Sequence, residues 1–221
     1  MQSNIKIDEL INILTTEYGV FEWEPRYDPA SELVYTILSQ HTSDINSERA
    51  FLNLMDKFGK IEQVAIAEVS EIEESIRTGG LSKTKAPRIK AVLNQIYDEL
   101  GSYDLSFLKE MPLQEAKSWL KRLDGIGPKT AAIILCFSLG MPAMPVDTHI
   151  YRVAKRLGLI DSPTTADDAH DILENKVMAN DVFQFHLLLI NHGRKICKAR
   201  KPLCHLCKLS HQCPSKVEFA N

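Results

Sequence analysis

The sequence predicts an all-α protein, and three observations predict it. Apolar residues follow a helical period through most of the 221 residues. Glycine stands just after segment upon segment, at positions 59, 79–80, 101, 140 and 158, where a helix can end in the left-handed conformation. No run alternates apolar and polar residues for long enough to make a sheet.

Taken in order, an N-terminal helix leads to Asp28-Pro29, an N-cap followed by proline at the first turn, ahead of "ASELVYTIL". "INSERAFLNLMDKF" forms the next helix and stops at Gly59. Ser70 and Glu73 are placed to form a capping box for "EIEESIR", which Gly79-Gly80 ends. "APRIKAVLNQIYDEL", "LQEAKSWLKRL", "KTAAIILCFSL" and "THIYRVAKRL" read as the following helices, and "ADDAHDILENKVM" and "DVFQFHLLLINHGRKI" as the last two. Neither an internal repeat nor a low-complexity segment interrupts this pattern.

Composition, 44% hydrophobic and 25% charged, is that of a globular protein with a real core. The N-terminus lacks the apolar core and cleavage site of a signal peptide, and no apolar run could span a bilayer. A cytoplasmic protein without a membrane partner is the expectation, and there disulfides are rare. The net charge is −3, which by itself argues against a polyanionic partner. Charge position argues the other way. Between Val182 and Val217 lie seven Lys and Arg and no Asp or Glu, leaving −10 for the remainder. Such a patch can attract nucleic acid whatever the total, although it would also serve as a solvated tail.

"LKRLDGIGPKTAAIIL" joins two helical patterns through Asp124-Gly125-Ile126-Gly127-Pro128. The glycines allow positive φ and close approach of another molecule, and the free N–H groups of the following helix favour a phosphate oxygen there. A plain turn between helices would explain a lone G-x-G. Here the longer L-x-G-I-G-x-x-T-A pattern is a helix-hairpin-helix signature, of the kind that grips a DNA backbone. Lys129 stands at the mouth of the turn. The helix N-terminus and partial burial would both favour its neutral, nucleophilic amine, where the alternative is a phosphate-contacting or solvated lysine. In "MPVDTHIYRVAKRLG", Asp147 is an N-cap for the amide of His149 or Ile150, which would also hold a charged carboxylate rigidly.

Four of the five cysteines, Cys197, Cys204, Cys207 and Cys213, form C-x6-C-x2-C-x5-C. The spacing points to a metal or cluster but does not separate zinc from iron–sulfur, and His205 offers a Cys3His alternative. Cys136, the fifth, falls in an apolar helix and reads as a small core residue.

Taken together, "LDGIGPKTAAIIL", "VDTHIYR" and "HGRKIC" with its cysteine array resemble endonuclease III, of the helix-hairpin-helix (HhH-GPD) superfamily of DNA glycosylases. The resemblance runs from about Leu33 to Pro214. It implies a [4Fe–4S] cluster on Cys197, Cys204, Cys207 and Cys213, shaping a basic loop in which Lys198, Arg200 and Lys201 meet DNA phosphates. It implies two helical lobes with a DNA-binding cleft between them. Residues 28–141 would form a helical barrel domain carrying the hairpin (about 113–140), and residues 1–27 with 142–221 a cluster domain.

The activity implied is that of a bifunctional glycosylase and AP lyase of base excision repair, monomeric and nucleoid-associated. Its substrate would be double-stranded DNA with a damaged base, first of all an oxidised pyrimidine, or an abasic site. Lys129 and Asp147 take the catalytic roles. Gly125, Gly127 and Pro128 would contact the backbone, with Gln40, His149 and Arg152 as further DNA contacts, and His41 and Leu81 would fill the space of a flipped base. Departures bear on the substrate. Endonuclease III typically has glutamine at the His41 position and a small residue at Gln40, proline where Asp124 stands, and often arginine where Pro128 stands. "SQHTSD" also resembles an element of plant glycosylases that excise methylated cytosine. Mismatched or modified pyrimidines are therefore the second expectation. Outside this class stand a non-catalytic hairpin module and a zinc-bound interaction protein.

Overall fold

The computed structural model describes residues 5–219, and these are helical with no strand. No helix among them is long and apolar enough to cross a membrane. The chain divides into two compact units, Glu24–Met141 and the residues up to Trp23 together with those from Pro142 onward.

In the N-terminal segment of the second unit, α1 (Ile7–Tyr18) buries Leu10 and Leu14. The Glu24–Met141 unit then winds around α2 (Pro29–Ser39), whose residues from Pro29 to Leu38 are nearly all buried. Asp28 accepts the Ser31 N–H (3.0 Å) and Pro29 opens the first turn, as the sequence predicts. Next come α3 (Asp44–Phe58), capped by Ser43 and ended by Gly59 at φ +76°, and the short α4 (Ile61–Ile66). α5 (Val69–Ser75) departs from expectation. Ser70 and Glu73 do not form its cap; Glu71 does, accepting the Glu68 N–H (3.2 Å), because the helix begins one residue before Ser70. A 3-10 turn follows at Arg77–Gly79.

α6 (Ser82–Leu100) also begins four residues before the sequence pattern places it, so that Pro87 lies inside it. Proline lacks only its own N–H, and the first turn is closed by the Thr84 and Lys85 amides on Leu81 O (3.0 and 2.9 Å). After a 3-10 turn at Ser106–Glu110, α7 (Leu113–Lys121) and α8 (Pro128–Leu139) form the hairpin that packs on α2. Residues 24–27 belong with this unit because Arg26 pairs with Glu32 and its N–H donates to Phe137 O (3.2 Å). The unit therefore starts at Glu24, not at 28.

The second unit continues with α9 (Thr148–Arg156), α10 (Ala166–Lys176), a 3-10 turn at Ala179–Asp181, and α11 (Val182–Lys195). Ile150, Val153, Phe185, Leu188 and Leu189 join Leu10 and Leu14 in its core. A Cβ on Gly193 of α11 would lie 2.9 Å from His149 Cβ and 3.3 Å from Arg152 Nη2. That glycine lets α9 and α11 approach. Gly193→Ala, which would favour an isolated helix, should instead destabilise the protein by about 1–3 kcal/mol through overpacking. Urea unfolding of both proteins measures it, and equal midpoints would mean that the helices separate freely.

Candidate functional site

In the Glu24–Met141 unit the hairpin turn is built as the sequence requires. Ile126 is buried and anchors the turn, donating its N–H to Leu123 O (3.0 Å). Gly125, exposed and at φ +74°, makes the reversal. α8 starts at Pro128 with no side chain capping its N-terminus, so the amides and dipole of its first turn are open to an anion. Lys129 lies in that turn and is exposed. The partial burial expected from sequence is therefore not supplied by the folded chain.

His41 and Leu81 share an unexpected feature. Both are exposed, and both hold the left-handed conformation, at φ +55° and +52°. For residues with a Cβ this costs about 1–2 kcal/mol each, and such residues cluster at functional sites. Gly79 has a different reason from the one expected. It is buried, and a Cβ there would meet Ala50 Cβ at 2.9 Å, so packing against α3, not approach to a ligand, requires it. Gln40 is half-buried, its Oε1 accepting from Arg88 Nη1 (2.7 Å).

In the second unit Asp147 caps α9, Oδ1 accepting the Ile150 N–H (2.7 Å). The segment before it is held by buried groups. His186 Nδ1 donates to Pro145 O (2.9 Å) and Glu174 accepts the Met144 N–H (3.0 Å). Arg152 is turned inward. Its Nε donates to Cys197 O (2.9 Å), Nη2 to Gly193 O (2.9 Å), and Nη2 lies 3.1 Å from His149 Nδ1. In the free chain, then, Arg152 and His149 face each other, and Arg152 fixes the start of the cysteine segment.

Cys197, Cys204, Cys207 and Cys213 are all free and line one cavity with Arg156 and His192. His205 is exposed and outside it. Among the described residues no three His, Cys, Asp or Glu converge as a single metal ion requires. Four thiols around a shared cavity are the donor set of a polynuclear cluster, which takes one sulfur at each corner. Two groups not singled out from sequence point at these sulfurs. Arg156 Nη1 lies 3.4 Å from Cys197 Sγ and donates to Lys198 O (2.7 Å), while Nη2 donates to Ala199 O (3.1 Å). His192 Nε2 lies 3.6 Å from Cys207 Sγ, and Tyr18 Oη lies 3.1 Å from its Nδ1. Burial lowers the His192 pKa to about 4, so it stays neutral, and pushes the Cys207 thiol up to about 11. Bound iron would supply the positive charge that keeps such thiols as thiolates. Lys198, Arg200 and Lys201 are exposed on the loop between the first two cysteines, Lys201 at φ +51°.

Cys136, buried against α2, is inert. Burial and, after it, the Glu32 charge raise its thiol to about 12.

Comparison with known proteins places these features. The family described as HhH-GPD superfamily base excision DNA repair proteins matches residues 34–178. The chain belongs to that superfamily. It is 36% identical to endonuclease III of Sulfolobus acidocaldarius over 183 residues, 82% of this chain and 79% of that protein. It is 39% identical to a putative DNA glycosylase of Arabidopsis thaliana over 165 residues, 75% of this chain but only 56% of the plant protein. A non-covalent endonuclease III–DNA complex matches with a TM-score of 0.82 and 25% identity, covering 97% of this chain and 96% of that one. A trapped covalent endonuclease III–DNA intermediate, 24% identical, has the same fold (TM-score 0.82, 97% of both chains). Membership supports a DNA glycosylase of base excision repair as the class of this HhH-GPD protein.

Proposed function

We propose that this HhH-GPD protein is a bifunctional DNA glycosylase and AP lyase that removes damaged pyrimidines, oxidised ones first, from double-stranded DNA. The observation that carries the reading is Lys129, an exposed amine on the first turn of α8 beside the Gly-Ile-Gly turn. A base stacked in a duplex hides C1′ from attack, so the nucleotide must leave the stack first. The hairpin amides and α8 N-terminus bind a backbone phosphate, and Leu81 and His41, on exposed loops, are the candidates to fill the vacated space.

Lys129 Nζ then attacks C1′ as the C1′–base bond breaks, and the departing base takes the electron pair. Asp147 accepts the lysine proton or stabilises positive charge on the sugar. Opening of the sugar ring gives a Schiff base that acidifies C2′–H. Loss of that proton expels the 3′ phosphate by β-elimination, and water releases the lysine.

Cys197, Cys204, Cys207 and Cys213 would hold a [4Fe–4S] cluster, whose contribution is to cross-link the loop that carries the basic residues. Lys198, Arg200 and Lys201 are the phosphate contacts on that loop. Changing all three to Ala should flatten the plot of log affinity against log salt by up to about 2.7, since each phosphate contact contributes about 0.9. An unaltered slope would place the loop away from DNA.

Duplexes carrying an oxidised pyrimidine or an abasic site, incubated with the protein and borohydride, test the whole reading. A trapped protein–DNA adduct with strand scission is expected. Base loss without an adduct would make the protein a hydrolytic glycosylase, and neither would leave a DNA-binding module. A second substrate reading, mismatched or modified pyrimidines, is favoured by Gln40-His41 in place of a small residue and glutamine. Running both substrate classes side by side separates the two.

A further inference from the structure

One face of α6 reaches three loops of the Glu24–Met141 unit at once. Lys85, 5% exposed, donates from Nζ to Leu38 O at the end of α2 (2.6 Å) and to Gly79 O (3.0 Å). One of these carbonyls stands three residues before His41 and the other two before Leu81. Arg88 follows three positions later, hence on the same face. Its Nη1 donates to Gln40 Oε1 (2.7 Å) and its Nη2 to Gly125 O in the hairpin turn. A Cβ on Gly125 would fall 2.6 Å from Arg88 Nε, so the turn glycine also makes room for the guanidinium. Arg88 Nε is buried without a partner, so it is the two Nη contacts that fix where this side chain sits. Loop 40–41, loop 79–81 and the hairpin are therefore joined by two cations on one helix. Both non-glycine left-handed residues of this unit, His41 and Leu81, stand at the ends of those ties.

We infer that Lys85 and Arg88 are positioning residues that lock the His41 and Leu81 loops to the hairpin, so that opening of the target base pair is coupled to the grip on the backbone. The inference rests on the proposed function for the role of the two loops. Contact with the reacting atoms is not part of it.

Full-length Lys85→Met and Arg88→Met test it in two arms. In the first, amide exchange is followed in the free proteins. Faster exchange at 40–42 and 79–81 in both variants, and at 125–127 in Arg88→Met, is expected, with the second unit unchanged. Exchange identical to wild type would overturn the inference without reference to any activity. In the second arm, single-turnover removal of a paired damaged base should fall about 10- to 100-fold, the scale of a small misplacement. Strand cleavage at a preformed abasic site facing no base, and duplex affinity, should stay within about threefold. Arg88→Lys, which keeps the charge but can reach only one acceptor, should recover part of the loss. Equal losses on both substrates would mean that the pair supports the chemistry or the fold in general, and would overturn the coupling. If the wild type removes no base, the proposed function has failed, and the exchange arm still decides whether these cations hold the loops.

Discussion

Lys129→Ala is expected to lose both the borohydride-trapped adduct and strand cleavage while unfolding at the same urea concentration as wild type. The side chain is exposed, and among the described residues its ammonium makes no hydrogen bond or ion pair within the chain. An exposed side chain of that kind contributes within about 0.5 kcal/mol to stability. Its chemistry has no substitute, because the Schiff base needs a primary amine at this place. Asp147→Asn sharpens the test. The amide oxygen can still accept the Ile150 N–H that Oδ1 now holds at 2.7 Å, so the cap and the fold survive while the negative charge is lost. Base removal should slow by on the order of 10²–10⁴, the range for loss of a positioned acid–base group. If Lys129→Ala still forms the adduct, another amine is the nucleophile; if Asp147→Asn is fully active, the carboxylate serves only as a cap.

The features legible in the sequence are those made by neighbours in the chain. Asp28-Pro29, the Gly-Ile-Gly turn and the Asp147 cap each depend on residues within four positions, so residue type and spacing sufficed. Boundaries set by contacts made elsewhere were not legible. α6 begins at Ser82 because its first turn closes on Leu81 and Lys85 is anchored to α2, and nothing in "LSKTKAPRIK" announces those partners. The same distance hid Arg88, whose acceptors lie 48 and 37 residues away, and His192, whose partner Tyr18 is 174 residues away. Arg152 shows the opposite limit. Its place among basic residues near the catalytic aspartate suited a DNA contact, but three main-chain carbonyls, Thr148, Gly193 and Cys197, lie within reach and take its donors.

Arg26→Ala is expected to destabilise the Glu24–Met141 unit by about 3–5 kcal/mol, the cost of leaving one member of a buried ion pair alone. The loss is large against the 5–15 kcal/mol that holds a typical domain together. Glu32 has no exposed side-chain surface, whereas that of Arg26 is 37% exposed. The carboxylate receives Arg26 Nε at 2.9 Å and Nη2 on its other oxygen, with Thr36 Oγ1 at 3.3 Å as a lesser donor. The guanidinium also lies 4.5 Å from the Tyr35 ring centre and 5.0 Å from that of Phe137. Burial acts against its charge, but the Glu32 hydrogen bond and charge outweigh it and hold the Arg26 pKa above its ordinary value. The two halves of the pair are therefore unequal. Removing Arg26 strands a charge in the centre of α2, whereas Glu32→Leu leaves a cation that can turn to water, so the second variant should unfold at the higher urea concentration of the two. Arg26→Met combined with Glu32→Leu removes both charges and fills the space, and should recover most of the loss. The three midpoints decide between a pair held for its own attraction and one in which the arginine chiefly neutralises a buried acid. A double variant no more stable than Arg26→Ala alone would favour the first.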